Sequence, residues 1–241
     1  MELEGWWLVP TLVAIVASFA VSASAGLGGS LILVPTLALV LGTKQGVALA
    51  ALLLAGNNVV KVWAYRETLP FRKAAMVVVL LSIGAAVGSR LLVAAPETVV
   101  TVGVIVSFAA ALLAERLDLE KVRTSGGPFL AFGSGATSGF SGTSGPLKGM
   151  AIRQLDLDRS HFVGAASLAS LVGDATKTAI FAEAQLLDGS AVMVAVLAIP
   201  LMFLATLSGR RINRSLGEQG YTALFWTVMG GYTIRLLVQL S

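Results

Sequence analysis

Apolar runs of close to 20 residues follow one another along almost the whole chain, and no polar stretch between them is long enough to fold alone. The coarse segments are 6–25, 30–42, 46–65, 72–95, 98–114, 128–138, 143–153, 160–182, 189–208 and 220–240. About 20 apolar residues cross the hydrocarbon core of a bilayer as a helix, and only helices and closed barrels satisfy their own backbone there. Soluble domains carry about 25% charged residues; this chain carries 12%, and 56% of it is hydrophobic. A water-soluble fold would lack the polar surface to cover itself. The pattern predicts an all-α, polytopic membrane protein forming a single transmembrane domain over 1–241.

The start, Met1-Glu2-Leu3-Glu4, lacks the basic region of a secretory signal, so the first apolar run is expected to be retained. A net charge of +4 raises the question of nucleic acid. The basic residues fall instead in loops between segments, where membrane orientation accounts for them, and no nucleic-acid partner is expected. The absence of cysteine removes disulfides, thiolate metal sites and a cysteine nucleophile.

Two glycine-rich stretches interrupt the runs, Gly26-Leu27-Gly28-Gly29-Ser30 and Gly139-Phe140-Ser141-Gly142-Thr143-Ser144-Gly145. Backbone released from a helix at membrane depth is tolerated only where protein or a water-filled cavity satisfies it. Paired breaks in corresponding halves mark the binding sites of transporters. Segments 30–42 and 143–153 are short for a crossing, at about 1.5 Å per residue, and read as half-helices starting near mid-membrane. Their first turns would offer unpaired N–H groups and the positive end of the helix dipole, an arrangement suited to anions. Gly26, Gly28, Gly29, Ser30, Gly139, Ser141, Gly142, Thr143 and Ser144 are therefore candidate substrate-binding residues. The competing reading is that the glycines only let helices pack closely.

The halves look duplicated: repeat 1 over 1–114 and repeat 2 over 128–241, joined by a polar linker, 115–127. Gly56-Asn57 matches Gly173-Asp174, each followed by a lysine, Lys61 or Lys177. A broken hairpin returns the chain to its starting side whether it spans or is re-entrant. Three further crossings then leave the chain opposite, so the second repeat is inverted relative to the first. Arg66, Arg72, Lys73, Arg116, Lys121, Arg123, Lys148, Arg153, Arg159, Arg210, Arg211 and Arg214 fall on the side away from the N-terminus, against Lys44, Arg90 and Arg235. By the positive-inside rule both termini face outside and the linker is cytoplasmic, in a plasma-membrane protein. Trp6, Trp7, Trp63 and Tyr65 lie at segment ends, as interfacial aromatics do.

Asp174 lies eight residues from the end of its segment, roughly 12 Å below the interface. Intramembrane carboxylates are costly and mark function or a structural ion pair. Asp174 is thus a candidate coupling site for protons or cations, or the partner of Lys177 one turn on. Asn57 is its uncharged counterpart, a candidate donor to substrate, and Lys177 a candidate charge facing a cavity. Lys61 lies within snorkelling reach of the interface. Lys148 either lines a cytoplasmic entry or reaches headgroups, and His161 is expected at the interface.

Gly139-Phe140-Ser141-Gly142 and Gly142-Thr143-Ser144-Gly145 also match the Gly-x-Ser-Gly motif of rhomboid intramembrane proteases. That chemistry needs a histidine within reach of the serine. His161, the one histidine, is expected at the membrane edge, and the motif leaves the first break unexplained. No metal cluster, Walker loop or nucleotide fingerprint is present, so no cofactor is expected. Pumping would have to draw on an ion gradient or on the substrate's own.

The two breaks, the second extended as Ser138-Gly139-Phe140-Ser141-Gly142-Thr143-Ser144-Gly145-Pro146-Leu147, resemble those of the TauE/SafE sulfite exporter family. The resemblance covers essentially the whole chain. Ser30 stands where members often have another glycine. The resemblance implies export of sulfur-containing anions such as sulfite, sulfoacetate or other organosulfonates, two inverted repeats, and breaks that meet at the substrate site. The expected partners are that anion and the lipid bilayer, with a second copy of the chain as a candidate for a homodimer. A passive anion channel on the same scaffold is the alternative.

Overall fold

Glycine, proline and two capping aspartates, Asp158 and Asp188, end and start helices within these apolar runs. In the computed structural model, which describes residues 15–16, 30–116, 126–144, 146–198, 200–201, 204, 230 and 234, the regular structure is helical. The helices are α1 (Ser30–Leu41), α2 (Thr43–Ala64), α3 (Phe71–Ala94), α4 (Glu97–Arg116), α5 (Gly127–Ser141), α6 (Leu147–Arg153), α7 (Arg159–Glu183) and α8 (Gly189–Ala198). Gly42 separates α1 from α2 at a φ of 92°, and Gly142 ends α5 at 80°, a conformation that favours glycine. Among the described residues, Thr43–Trp63 and Phe71–Ala94 are long and apolar enough to cross a membrane.

The chain divides into two compact units: one takes the residues up to Leu53 and from Gln185, the other Leu54–Ala184. In the first, α1 has 12 residues, a rise of about 18 Å against a hydrocarbon core of roughly 30 Å. The residues before Ser30, where a half-helix was expected to start, lie outside the described residues. α1 buries Leu31 to Pro35, Leu37 and Ala38. Gly46 of α2 lies against the Leu37 and Ala38 backbone, where a methyl group would collide. α8 buries Ala191, Val194, Ala195 and Ala198 and exposes Val192, Met193, Val196 and Leu197.

In the second unit, α3 and α5 cross through two pairs of glycines spaced four apart, Gly84 with Gly88 and Gly135 with Gly139. A Cβ at Gly84 would run into the Phe132 carbonyl, at Gly88 into that of Ala136, at Gly135 into that of Leu81, and at Gly139 into that of Ala85. Small residues at this spacing let membrane helices approach backbone to backbone. Beside the crossing, Ala74, Val77, Leu81, Ala131, Ala151, Ile152, Ala165 and Ala169 form a core shared by α3, α5, α6 and α7. Ser82 of α3 and Thr176 of α7 hydrogen-bond at 2.9 Å within it. The far face of α3 presents Phe71, Met76, Val79, Ile83, Val87 and Leu91 outward. An outward apolar stripe along a helix is what a lipid-facing surface requires.

Two boundaries differ from the sequence expectation. The helix expected to end at 138 continues through Ser141, because Gly135 and Gly139 are seated in the α3 crossing. The half-helix expected over 143–153 shortens to Leu147–Arg153, since Pro146 opens it. The described part of the second interruption therefore lies at Gly142–Ser144 and Pro146.

Candidate functional site

α7 begins at Asp158, whose carboxylate accepts from the Ser160 and His161 backbone N–H groups and caps the first turn. The His161 N–H, with the Ser160 hydroxyl, holds the Asp158 carboxyl well below the usual carboxylate range. His161 also pairs with Asp158 through Nδ1, beside an open cavity of about 560 Å³ that Arg72, Lys73 and Asp156 help to line. From this end, Ser167, Ser170, Asp174 and Lys177 follow at spacings of three, four and three. That spacing places them on one face of the helix.

The polar face leads to a buried ion pair. Lys177 is 1% exposed and Asp174 7%. Lys177 Nζ lies 2.6 Å from Asp174 Oδ1, and Asn58 Nδ2 of α2 donates to Asp174 Oδ2 at 2.7 Å. Lys177 Nζ also donates to Ser138 Oγ of α5 at 3.0 Å. Lys61, three residues from Asn58, is a further positive charge acting on Asp174. One turn before Asp174, Lys148 Nζ of α6 donates to Ser170 Oγ at 2.8 Å. Two ammonium groups thus act on one carboxylate inside an apolar unit. Burying charge is tolerable only with a partner and hydrogen bonds for the remaining polar atoms, and here each carboxylate oxygen has its own donor.

The structure brings together some of the expected site residues and separates others. Asp174 and Lys177 meet. Asn57 is half-buried, and its neighbour Asn58 makes the bond to Asp174. Ser141 is buried within α5, where its hydroxyl donates to the Thr137 carbonyl at 2.8 Å. Gly139 packs on α3, as close-packing glycines do. Gly142 caps α5, while Thr143 is buried and Ser144 half-buried just beyond it. Ser30 is the first described residue of α1; Gly26, Gly28, Gly29 and Gly145 lie outside the described residues. Asn58 and Ser138 were not among the expected site residues. A signal for Asn58 existed: Asn58-x-x-Lys61 has the spacing of Asp174-x-x-Lys177. Among the described residues Ser134 and Ser89 are buried hydroxyls without a hydrogen-bond partner, and Ser134 lies one turn before Ser138 on α5.

A family model described as "Sulfite exporter TauE/SafE" matches residues 11–236. The chain belongs to the TauE/SafE family. No curated protein and no solved structure matches it. TauE/SafE membership makes the protein a membrane transporter, and its apolar helices agree with that. Within this family frame, His161 engaged by Asp158 and Ser141 engaged by Thr137 do not form the hydrogen-bonded pair that serine protease chemistry uses.

Proposed function

We propose that the protein is a secondary active exporter of a small sulfur-containing anion, such as sulfite, sulfoacetate or another organosulfonate. It works by alternating access across the plasma membrane. Lys177 supplies charge to the oxyanion and Asn58, rather than the expected Asn57, a hydrogen bond, with the hydroxyls of Ser141, Thr143 and Ser144 close in sequence to Ser138. Asp174 couples the movement to protons. Two inverted repeats, 1–114 and 128–241, supply the two alternating states, with both termini outside.

The observation that carries this reading is a fully buried lysine, held by an aspartate and a serine, in a chain of this family. Charged groups at membrane depth mark substrate and ion pathways, and a cationic cluster suits an anionic cargo. Energetically, an anion leaving a cell that is negative inside gains about 2.3 kcal/mol per charge for each 100 mV. Export therefore needs no nucleotide hydrolysis. Proteoliposome efflux of sulfite and sulfoacetate tests the substrate class. Saturable flux that Lys177→Met abolishes is expected, and the absence of flux for every sulfur oxyanion would overturn the reading.

A further inference from the structure

In this structure the donors that a small oxyanion would use are already occupied. The Lys177 ammonium and the Asn58 amide both serve the Asp174 carboxylate, one on each oxygen. Among the described residues, Lys61 is the further charge acting on Asp174. α2 contributes Asn58 and Lys61, and α5 contributes Ser138, bound to Lys177. The Ser82 hydroxyl of α3 is bound to Thr176, and Lys148 of α6 reaches Ser170. A carboxylate is itself a small oxyanion, so Asp174 and an anionic cargo require the same donors. Two anions on one ammonium repel each other.

We infer that Asp174 is an internal substitute for the cargo: the anion takes Lys177 and Asn58 only when Asp174 gains a proton and gives them up. This inference rests on the anion-transport reading above. Each anion binds together with one proton. Protonation removes the charge that held Lys177, and the neutral acid can donate its O–H to the bound anion. Lys177 passes from one anion to the other. Asn58 acts as a positioning residue for the carboxylate and then as a donor to the cargo.

The test is proton uptake on binding, followed with a pH indicator in weakly buffered detergent solution. The ligand is ethanesulfonate, whose charge is constant between about pH 5 and about pH 9, with sulfite as competitor. The wild-type protein should take up about one proton per anion bound, with affinity falling about tenfold per pH unit once Asp174 is ionised. Asp174→Asn should bind with no proton uptake and with an affinity independent of pH. Asn58→Leu, which keeps both charges, should still take up the proton while its binding curve moves to higher pH. Binding without proton uptake by the wild-type protein overturns the inference, as does an unchanged pH slope in Asp174→Asn. If neither anion binds the wild-type protein at any pH, the substrate reading falls, and this inference with it.

Discussion

Lys177 and Asp174 hold each other in an environment neither would enter alone. Removing one partner of a buried pair strands the other charge, at a cost of about 3–5 kcal/mol, whereas replacing both by apolar groups is often neutral. Lys177→Met should therefore lower thermal stability in detergent by about that amount. Lys177→Met with Asp174→Leu should recover most of the loss, and neither variant should transport. The double variant remaining as unstable as the single one would mean that the pair is not the principal constraint there. The sequence made Asp174 and Lys177 readable, because charge inside an apolar run is conspicuous. The choice between Asn57 and Asn58 was harder, since two adjacent asparagines point in different directions on a helix and packing against α7 decides which one meets Asp174. Ser138 was harder still. A serine in a small-residue run carries no sign of the lysine, 39 positions away, that it receives.

At the scale of helices, the glycines divide into two roles. Gly42 and Gly142 end helices at positive φ, whereas Gly84, Gly88, Gly135 and Gly139 let α3 and α5 touch. A methyl at Gly135 meets the Leu81 carbonyl and backbone, so the helices must separate. Overpacking of this kind costs about 1–3 kcal/mol, and Gly135→Ala should show it in thermal unfolding. Gly126→Ala offers a contrast, since its Cβ meets nothing and only its φ of 117° is strained. Among the described residues, the segments 46–65, 72–95, 98–114 and 160–182 were readable from hydropathy, because turn residues bound those runs. The extension of α5 through Ser141 was not, because the helix that accepts Gly139 is remote in sequence. At the start of α7, Asp158→Ala removes a cap and should lower the unfolding temperature. With the native carboxyl held low, the cap's contribution is complete above a pH of about 4 and fades as pH falls further. Thermal unfolding of wild type and variant should thus differ at neutral pH and converge in acid.

For the whole molecule, outward apolar faces such as that of α3 and a buried charged cluster along α7 fit a protein that lives in lipid and moves something polar. The family resemblance read from two glycine-rich stretches agrees with the match over 11–236. The assignment of Gly139 and Ser141 to a helix break does not agree with α5. Family-level identity is thus readable from short motifs, while the chemistry of the site depends on contacts that join distant segments. Efflux of radiolabelled sulfite from proteoliposomes, with wild type and Lys177→Met side by side, tests the transport role of the buried lysine most directly. Wild type should give saturable efflux, faster when the lumen is negative, and Lys177→Met flux at the protein-free level. Equal flux from both proteins, or none above protein-free vesicles from either, would contradict that role.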